Sequence, residues 1–152
     1  MASRMAILRD GLIEQIGEPR DIYRRPANRF VADFIGETNW LSGTVAALEA
    51  GQMRLATALT EFLAPRTAGL DAGAKVQIGF RPESVEIGRS GANTFAATIR
   101  QCCYLGEIEQ YELALADGTS AKALERNPLQ GRKPGETLEV FVRPQDLMIL
   151  PA

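Results

Sequence analysis

Hydrophobic and polar positions have one spacing in the first 40 residues and another in the rest of the chain. The chain opens with two short apolar runs, within Met5–Leu8 and Leu12–Ile16, that are joined at Asp10-Gly11. An Asp-Gly pair between strands favours a tight type I′ turn, because both central residues need a positive φ. The sequence therefore predicts a β-hairpin at the start of the chain.

Two short helices are predicted between residues 19 and 36. Pro19 suits the first turn of a helix, and Asp21 follows where the helix dipole favours an anion. This helix should end near Arg25, since the residue before a proline is pushed out of the helical region. A second helix is predicted from Pro26, with Gly36 as its C-terminal cap. Its apolar stripe has four members: Phe30, Val31, Phe34 and Ile35.

After Asn39-Trp40 the pattern alternates, as expected for β-strands with one buried face. Short strands separated by turn signals favour small β-barrels or a sandwich. Hairpin turns are predicted at Glu49-Ala50-Gly51 and at Asp117-Gly118. The predicted strands are Leu41–Leu48, Met53–Leu59, Asn93–Gln101, Tyr111–Ala116 and Ala121–Leu124, with loops at Ala64–Gly73 and Asn127–Gly135.

One segment of this second part is repeated in the sequence. Val76–Ile87 and Leu138–Ile149 align from end to end, and Arg81-Pro82 matches Arg143-Pro144 at an offset of 62 residues. A repeat at a constant offset indicates a duplicated structural unit. The repeat therefore predicts a pair of small barrels or half-barrels packed side by side.

Composition and charge narrow the class of protein. The 152 residues are 45% hydrophobic and 24% charged, which is ordinary for a folded globular protein. The net charge of −2 gives no sign of a basic surface, so no nucleic-acid partner is predicted. No apolar run approaches the roughly 20 residues that cross a bilayer, and the N-terminus lacks a signal-peptide pattern. We therefore predict a cytoplasmic location.

Catalytic chemistry has few candidate residues. The chain contains no histidine, which removes the commonest general base and the commonest metal ligand. The phosphate-binding pattern G-x-x-x-x-G-K-[ST] is absent, as are G-x-G-x-x-G and G-x-S-x-G. The adjacent Cys102 and Cys103 lack metal-ligand spacing and are predicted to pack as small apolar residues in a strand. We predict no catalytic, cofactor-binding or metal-binding residue.

The repeated Arg-Pro pairs are the strongest polar feature. A residue before proline is held extended, so the guanidinium of Arg81 or Arg143 has a defined direction that suits a carboxylate or an oxyanion. One interpretation is an internal ion pair, of Arg81 with Glu83 or Glu86 and of Arg143 with Asp146. The other interpretation is that Arg81, Glu83 and Arg143 contact an anion or a partner protein.

Two further features are candidate contact points. Tyr104-Leu105-Gly106 and the following Glu107 predict a loop tip between strands, and loops carry function more often than barrel walls do. Tyr104 and Glu107 are therefore candidate partner contacts, and a solvated acidic tip is the alternative. Trp40 is predicted to pack as an anchor of the second domain.

Residues 10–39 carry a dense series of apolar, glycine and proline positions: Asp10-Gly11, Ile13-Glu14-Gln15-Ile16-Gly17, Pro19, Ile22-Tyr23, Pro26, Phe30-Val31-Ala32, Phe34-Ile35-Gly36 and Asn39. Nearly residue for residue, this series resembles the end of the ATP-binding subunit of bacterial ABC importers, especially those for polyamines, ferric iron and sugars. The segments Phe80-Arg81-Pro82-Glu83 and Val142-Arg143-Pro144 look like the C-terminal transport-associated OB-type (TOBE) domain of those subunits.

The resemblance implies a fold and a division of the chain. Residues 1–40 would be the C-terminal remnant of an α/β ATPase domain, and residues 41–152 a regulatory domain in two units, about 41–90 and 91–152. The implied fold is mainly β, an OB-like (TOBE/MOP-like) barrel built from the duplicated unit and preceded by the hairpin and the two helices. Without the ATPase domain, six apolar side chains would be left uncovered: Ile7, Leu8, Ile13, Ile16, Phe30 and Phe34.

The resemblance also implies a function. The family's phosphate loop, signature motif, catalytic carboxylates and switch histidine all lie upstream of the residues matched here, so none is carried over. The chain would be a non-catalytic regulatory and dimerisation domain of an importer's ATP-binding subunit, serving uptake of a spermidine- or putrescine-like solute. No cofactor is expected in this chain, whereas ATP and Mg²⁺ are expected in the full-length parent.

Partners follow from the same resemblance. A second copy is expected to bind through the C-terminal domain, and the membrane subunits of the transporter through the ATPase domain, at the cytoplasmic side of the inner membrane. A small solute or a regulatory protein is a further candidate. The alternative function is a module that binds an oxyanion of the molybdate or sulfate type between its Arg-Pro segments.

Overall fold

The structure is a computed structural model that describes residues 3–88, 91–128 and 131–152. It divides into two compact units, one that ends at Thr38 and one that spans Asn39–Ala152. The predicted border near residue 90 and residues 129 and 130 of the predicted Asn127–Gly135 loop lie outside the described residues. Each unit is described by itself.

The first unit begins with the predicted hairpin. Strands β1 (Met5–Arg9) and β2 (Leu12–Gly17) pair antiparallel, with Arg9 opposite Leu12. The turn residues have φ values of 51° at Asp10 and 78° at Gly11. Both are positive, as the Asp-Gly signal predicts, so the hairpin is confirmed.

Helices α1 (Pro19–Arg24) and α2 (Arg29–Ile35) follow. The second helix begins later than predicted, because Asn28 is extended and caps it by accepting a hydrogen bond from Val31 N at 2.9 Å. The predicted cap at Gly36 does not have the left-handed form: its φ is −179°, so the chain leaves the helix extended.

The helices pack on the hairpin within this unit. Ile7, Ile22 and Val31 form a small buried core. Burial of Ile7 contradicts the prediction that it is uncovered, and Phe30 is half-buried beneath Arg9, whose guanidinium carbon lies 4.8 Å from the ring centroid. Among the described residues of this unit, five large apolar side chains are exposed: Leu8, Leu12, Ile13, Ile16 and Phe34.

Ten strands of the described residues build the second unit: β3 (Asn39–Glu49), β4 (Gln52–Thr57), β5 (Glu61–Pro65), β6 (Lys75–Phe80), β7 (Glu86–Ile87), β8 (Thr94–Tyr104), β9 (Ile108–Leu115), β10 (Ser120–Arg126), β11 (Thr137–Phe141) and β12 (Met148–Pro151). Both predicted hairpins are present, β3–β4 and β9–β10. Strand β5 was not predicted, and the predicted Ala64–Gly73 loop begins inside it. The prediction of a mainly β fold is confirmed.

The two sheets have equivalent orders, β12-β6-β3-β4-β5 and β7-β11-β8-β9-β10. Each copy of the repeat forms a strand, an Arg-Pro segment, a 3₁₀ turn (Pro82–Ser84 or Pro144–Asp146) and a last strand. The last strands are exchanged, because β12 pairs with β6 and β7 pairs with β11. The halves are therefore interlocked: two separate barrels are ruled out, whereas the alternative of paired half-barrels agrees with the two equivalent sheets.

The strands alternate inward and outward side chains around one continuous core. At its centre Phe62 of the first sheet stacks on Phe95 of the second at 5.8 Å between ring centroids, and Phe80 meets Phe95 edge-on at 6.2 Å. Such contacts between the sheets stabilise their pairing beyond the area that they bury. Within the described ranges, no helix combines the length and the apolar character needed to cross a membrane.

Candidate functional site

The two Arg-Pro pairs occupy equivalent places in unequal surroundings. Arg81 and Arg143 both have extended backbone, with ψ near 148° and 141°, as the following proline requires. Their backbone oxygens each accept a hydrogen bond at 2.9 Å, from Ser84 N and Asp146 N. Yet Arg81 is 4% exposed, whereas the Arg143 side chain is 55% exposed.

Arg143 forms the predicted ion pair. Its Nε lies 3.1 Å from Asp146 Oδ2 and 3.8 Å from Glu86 Oε1, and Glu86 belongs to the other copy of the repeat. The interpretation of Arg143 and Asp146 as an internal ion pair is thus confirmed. Contact of Arg81, of the exposed Glu83 or of Arg143 with an anion or a partner stays a prediction.

Tyr104 and Glu107 lie at the tip of the β8–β9 hairpin. Tyr104 and Leu105 are 75% and 57% exposed, and Glu107 is exposed beside them. Gly106 turns the chain with φ 86°, and Leu105 N donates to Ile108 O at 2.8 Å. Two neighbouring apolar side chains therefore point into solvent at a turn that its own backbone holds together, while their role as partner contacts stays a prediction.

The structure adds a buried asparagine that sequence reasoning did not single out as a contact between the sheets. Asn39, 7% exposed, opens β3 of the first sheet. Its Nδ2 donates to Lys122 O at 2.9 Å, and its Oδ1 accepts from Lys122 N at 2.7 Å. Lys122 lies in β10, the edge strand of the second sheet. The amide thus pairs with a strand of the opposite sheet as a backbone residue would, and we call this pairing the Asn39 clasp.

Asn93 makes the equivalent clasp in the other direction. It is 5% exposed and has φ 63°. Its Oδ1 accepts from Leu63 N at 2.6 Å, and its Nδ2 donates to Leu63 O at 3.0 Å and to Val142 O at 2.9 Å. Leu63 lies in β5, the edge strand of the first sheet. The signal in the sequence is an asparagine at the first position of one 11-residue strand, β3, and directly before the other, β8.

A second cluster surrounds the hydroxyl of Tyr111, a fully buried residue of β9. The hydroxyl donates to Glu125 Oε1 at 2.8 Å and lies 3.0 Å from Glu109 Oε2. Arg132 holds Glu125 with two hydrogen bonds of 3.0 Å. Cys102 Sγ donates to the Arg132 carbonyl at 3.3 Å. In the first half the buried Met53 takes the equivalent strand position, so this polar cluster belongs to the second half alone.

The surroundings of the cluster change its acid–base properties. The hydrogen bonds from Arg132 hold the pKa of Glu125 below its ordinary value, with burial acting in the opposite direction. Burial raises the pKa of Tyr111, and the bonds to Glu125 and Glu109 add to it. Burial, with Glu109 and Glu136 nearby, also raises the pKa of the Cys102 thiol. A raised pKa lowers the thiolate fraction, which disfavours Cys102 as a nucleophile.

The cysteines differ in exposure. Cys102 is half-buried against the core, as predicted, but Cys103 is exposed, because alternate residues of a strand face opposite sides. Across residues 3–88, 91–128 and 131–152, no group of three or more His, Cys, Asp or Glu side chains is arranged to hold a metal ion.

Comparison with known proteins identifies the relatives. Residues 78–150 match the TOBE domain model. The chain is 37% identical over 155 aligned residues to the spermidine/putrescine import ATP-binding protein PotA of Rubrobacter xylanophilus, covering 99% of this chain and 41% of that protein. It is 40% identical over 124 residues to PotA 1 of Pseudomonas aeruginosa, covering 78% of this chain and 33% of that protein. The chain thus spans about two fifths or less of the relatives that it matches.

A solved structure shares the fold. The cytoplasmic molybdate-binding protein ModG, in a crystal form with molybdate bound, superposes with a TM-score of 0.68 over 75% of this chain and 96% of that one. The two chains are 19% identical, so the likeness establishes the OB-like fold. The sequence relatives confirm the resemblance predicted above: residues 78–150 match the TOBE domain model, and the chain is similar to the ATP-binding subunits of bacterial ABC importers.

Proposed function

We propose that this chain is the C-terminal part of the ATP-binding subunit of an ABC importer and that its second unit is the regulatory, non-catalytic domain. The observation that carries the proposal is the 37% identity over 99% of the chain to a protein of spermidine/putrescine import. The match to the TOBE model lies wholly within the second unit, which has its own core. Such a unit can act on a catalytic domain without contributing catalytic residues.

The names of the relatives suggest the cargo and the energy source. Spermidine and putrescine are organic polycations, and we propose a solute of this class for the transporter. ATP and Mg²⁺ would bind in the ATPase domain of the parent subunit, which would contact the membrane subunits from the cytoplasm. The TOBE domain would regulate that ATPase and join two copies of the subunit.

A chimera tests the transport role. In a bacterium that lacks its own polyamine-import ATP-binding subunit, the matching C-terminal part of that subunit is replaced by this chain. We expect the chimera to restore uptake of labelled spermidine, and a subunit that lacks the region to restore much less. A stable chimera that transports no better than the truncated subunit would argue against the proposal.

Sedimentation velocity tests the dimerisation role separately. At tens of micromolar the purified chain should sediment as a dimer, and a monomer at that concentration would count against dimerisation through this region.

Calorimetry addresses the oxyanion alternative. Titration with molybdate, sulfate and phosphate should give no binding heat if the domain regulates an importer of polycations. Heat from molybdate that Arg81→Ala or Arg143→Gln abolishes would instead support an oxyanion-binding module.

A further inference from the structure

The Asn39 clasp begins where the second unit begins. Asn39 is the first residue of that unit and follows Thr38 directly. Its side chain is anchored to both backbone groups of Lys122. Trp40 next to it covers Gly79 of β6: a Cβ added to Gly79 would lie 2.6 Å from the indole. The side chains of the first two residues of the second unit therefore contact different sheets. Asn39 is hydrogen-bonded to β10 of the second sheet, and Trp40 packs on β6 of the first.

Strand β10 leads from this clasp to the exposed hairpin tip. It is an edge strand that pairs with β9 alone, and it carries Lys122 near its middle. Three residues further, Glu125 joins the cluster around Tyr111. Directly after the strand, Asn127 N donates to Glu107 O at 2.8 Å. The tip that presents Tyr104 and Leu105 is therefore attached to the end of the strand that Asn39 holds.

We propose that β10 couples the entry of the second unit to the Tyr104–Leu105 tip. When the Asn39 amide is in place, β10 is held on both sides, by β9 and by the clasp, and the end of the strand stabilises the tip. When the clasp opens, β10 keeps its pairing with β9 and its packing against the Pro82–Ser84 turn but loses the hydrogen bonds on its outer edge, and the bond from Asn127 to Glu107 weakens with it. Because coupling free energies are reciprocal, a molecule that binds and orders the tip also stabilises the Asn39 clasp.

The pseudo-equivalent clasp supplies a matched control. Asn93 holds Leu63 of β5 in the other sheet. Past the end of β5, Arg66 N donates to Gly51 O in the β3–β4 turn, at 3.2 Å. The two clasps thus share their chemistry, but the Asn93 clasp is attached to a different hairpin, which has no exposed aromatic tip.

Amide hydrogen exchange of the full chain, followed by NMR, tests the coupling. The reporters are the amides of Lys122, Asn127 and Leu105 on one path and of Leu63 on the other, all four hydrogen-bonded in the structure. We expect Asn39→Ala to accelerate exchange at the first three by about tenfold or more relative to Leu63, the loss associated with an opened buried hydrogen bond. Asn93→Ala should accelerate exchange of the Leu63 amide and leave the ratios of the exchange rates of the other three amides unchanged.

The outcomes are distinct. If Asn39→Ala accelerates Lys122 while Asn127 and Leu105 keep their rates relative to Leu63, the clasp acts locally and the coupling is refuted. Equal acceleration at all four amides means global destabilisation and refutes it as well. If the variant does not fold, exchange of the unmodified chain at low urea decides: one opening free energy that the three amides share and that differs from that of Leu63 supports the coupling, and any other pattern refutes it.

Discussion

Asn93 is hydrogen-bonded to both backbone groups of Leu63, 30 residues before it, although Leu63 lies in the first sheet and Asn93 directly precedes a strand of the second. The amide replaces the strand that β5 lacks on its outer side. A third bond, to Val142 O, ties it to the segment after β11. Unpaired backbone groups of an edge strand can pair with another chain, and the clasp occupies those of Leu63.

The first prediction concerns this clasp. Asn93→Ala should lower the free energy of unfolding by about 2 kcal/mol or more, since buried backbone groups lose their partners. Part of the loss comes from placing alanine at φ 63°. Asn93→Gly removes the amide but tolerates that φ, and Asn127→Ala changes an exposed asparagine at φ 47°. Urea unfolding of the three variants should place Asn127→Ala nearest to the wild type; equal losses would show that the hydrogen bonds of Asn93 contribute little.

Gly79 is predicted to tolerate no side chain. A Cβ there would lie 2.6 Å from the indole of Trp40, its register partner. Gly79→Ala should therefore displace the ring and cost about 1–3 kcal/mol. The chain has a single tryptophan, so its fluorescence reports this displacement directly. Gly131→Ala, at a position where a Cβ meets nothing within 4 Å, is the control. An unchanged emission spectrum of Gly79→Ala would contradict the packing described here.

The Glu125–Arg132 pair predicts a pH dependence. The pKa of Glu125 is lowered in the folded protein, so the ionised carboxylate contributes stability at pH values above its ordinary 4.5. That contribution is lost as the pH falls through the lowered folded pKa. Glu125→Gln should cost about 1.5–3 kcal/mol at pH 7, and the difference from wild type should shrink below pH 4.5. Urea midpoints at pH 7 and pH 3.5 measure it, with Glu139→Gln on the exposed side of β11 as the control. A constant difference would argue against the pair.

The equivalent arginines should respond differently to the same substitution. Arg143 pairs with Asp146 and Glu86 in solvent, where ion pairs contribute less than about 1 kcal/mol. Arg81 is 4% exposed, so its substitution removes the packing of the aliphatic stem in addition to the charge. We expect Arg143→Gln to change stability by less than about 1 kcal/mol and Arg81→Gln by about 2 kcal/mol. Thermal unfolding of both variants checks this, and equal shifts would show that burial does not distinguish them.

Several features could be predicted because they depend on neighbouring residues. Asp10-Gly11 specifies a turn of positive φ, and proline after Arg81 and Arg143 imposes an extended backbone before each 3₁₀ turn. The predictions were wrong where the tertiary packing decides whether a side chain is buried. Ile7 was expected to be uncovered but packs against Ile22, and Cys103 was expected to pack but faces solvent.

The candidate site shows the same division. The tip at Tyr104 and Glu107 and the pair of Arg143 with Asp146 are local features, and both were predicted. The clasps and the Tyr111 cluster were missed. Asn39 meets a strand 83 residues away, and Arg132 reaches Glu125 from the predicted Asn127–Gly135 loop, in which no sequence signal marks Arg132 as its partner.

The sequence by itself determined the hairpin, the turns, the alternation of the strands and the duplication, because each is decided by backbone preferences or by period. It also carried the family resemblance. Only the tertiary structure decided that β7 and β12 change sheets and that two asparagines join the sheets. The physical reason is that both copies of the repeat have the same local preferences whichever sheet receives the last strand. Only the shared core and the long-range amide contacts make the exchanged arrangement the stable one.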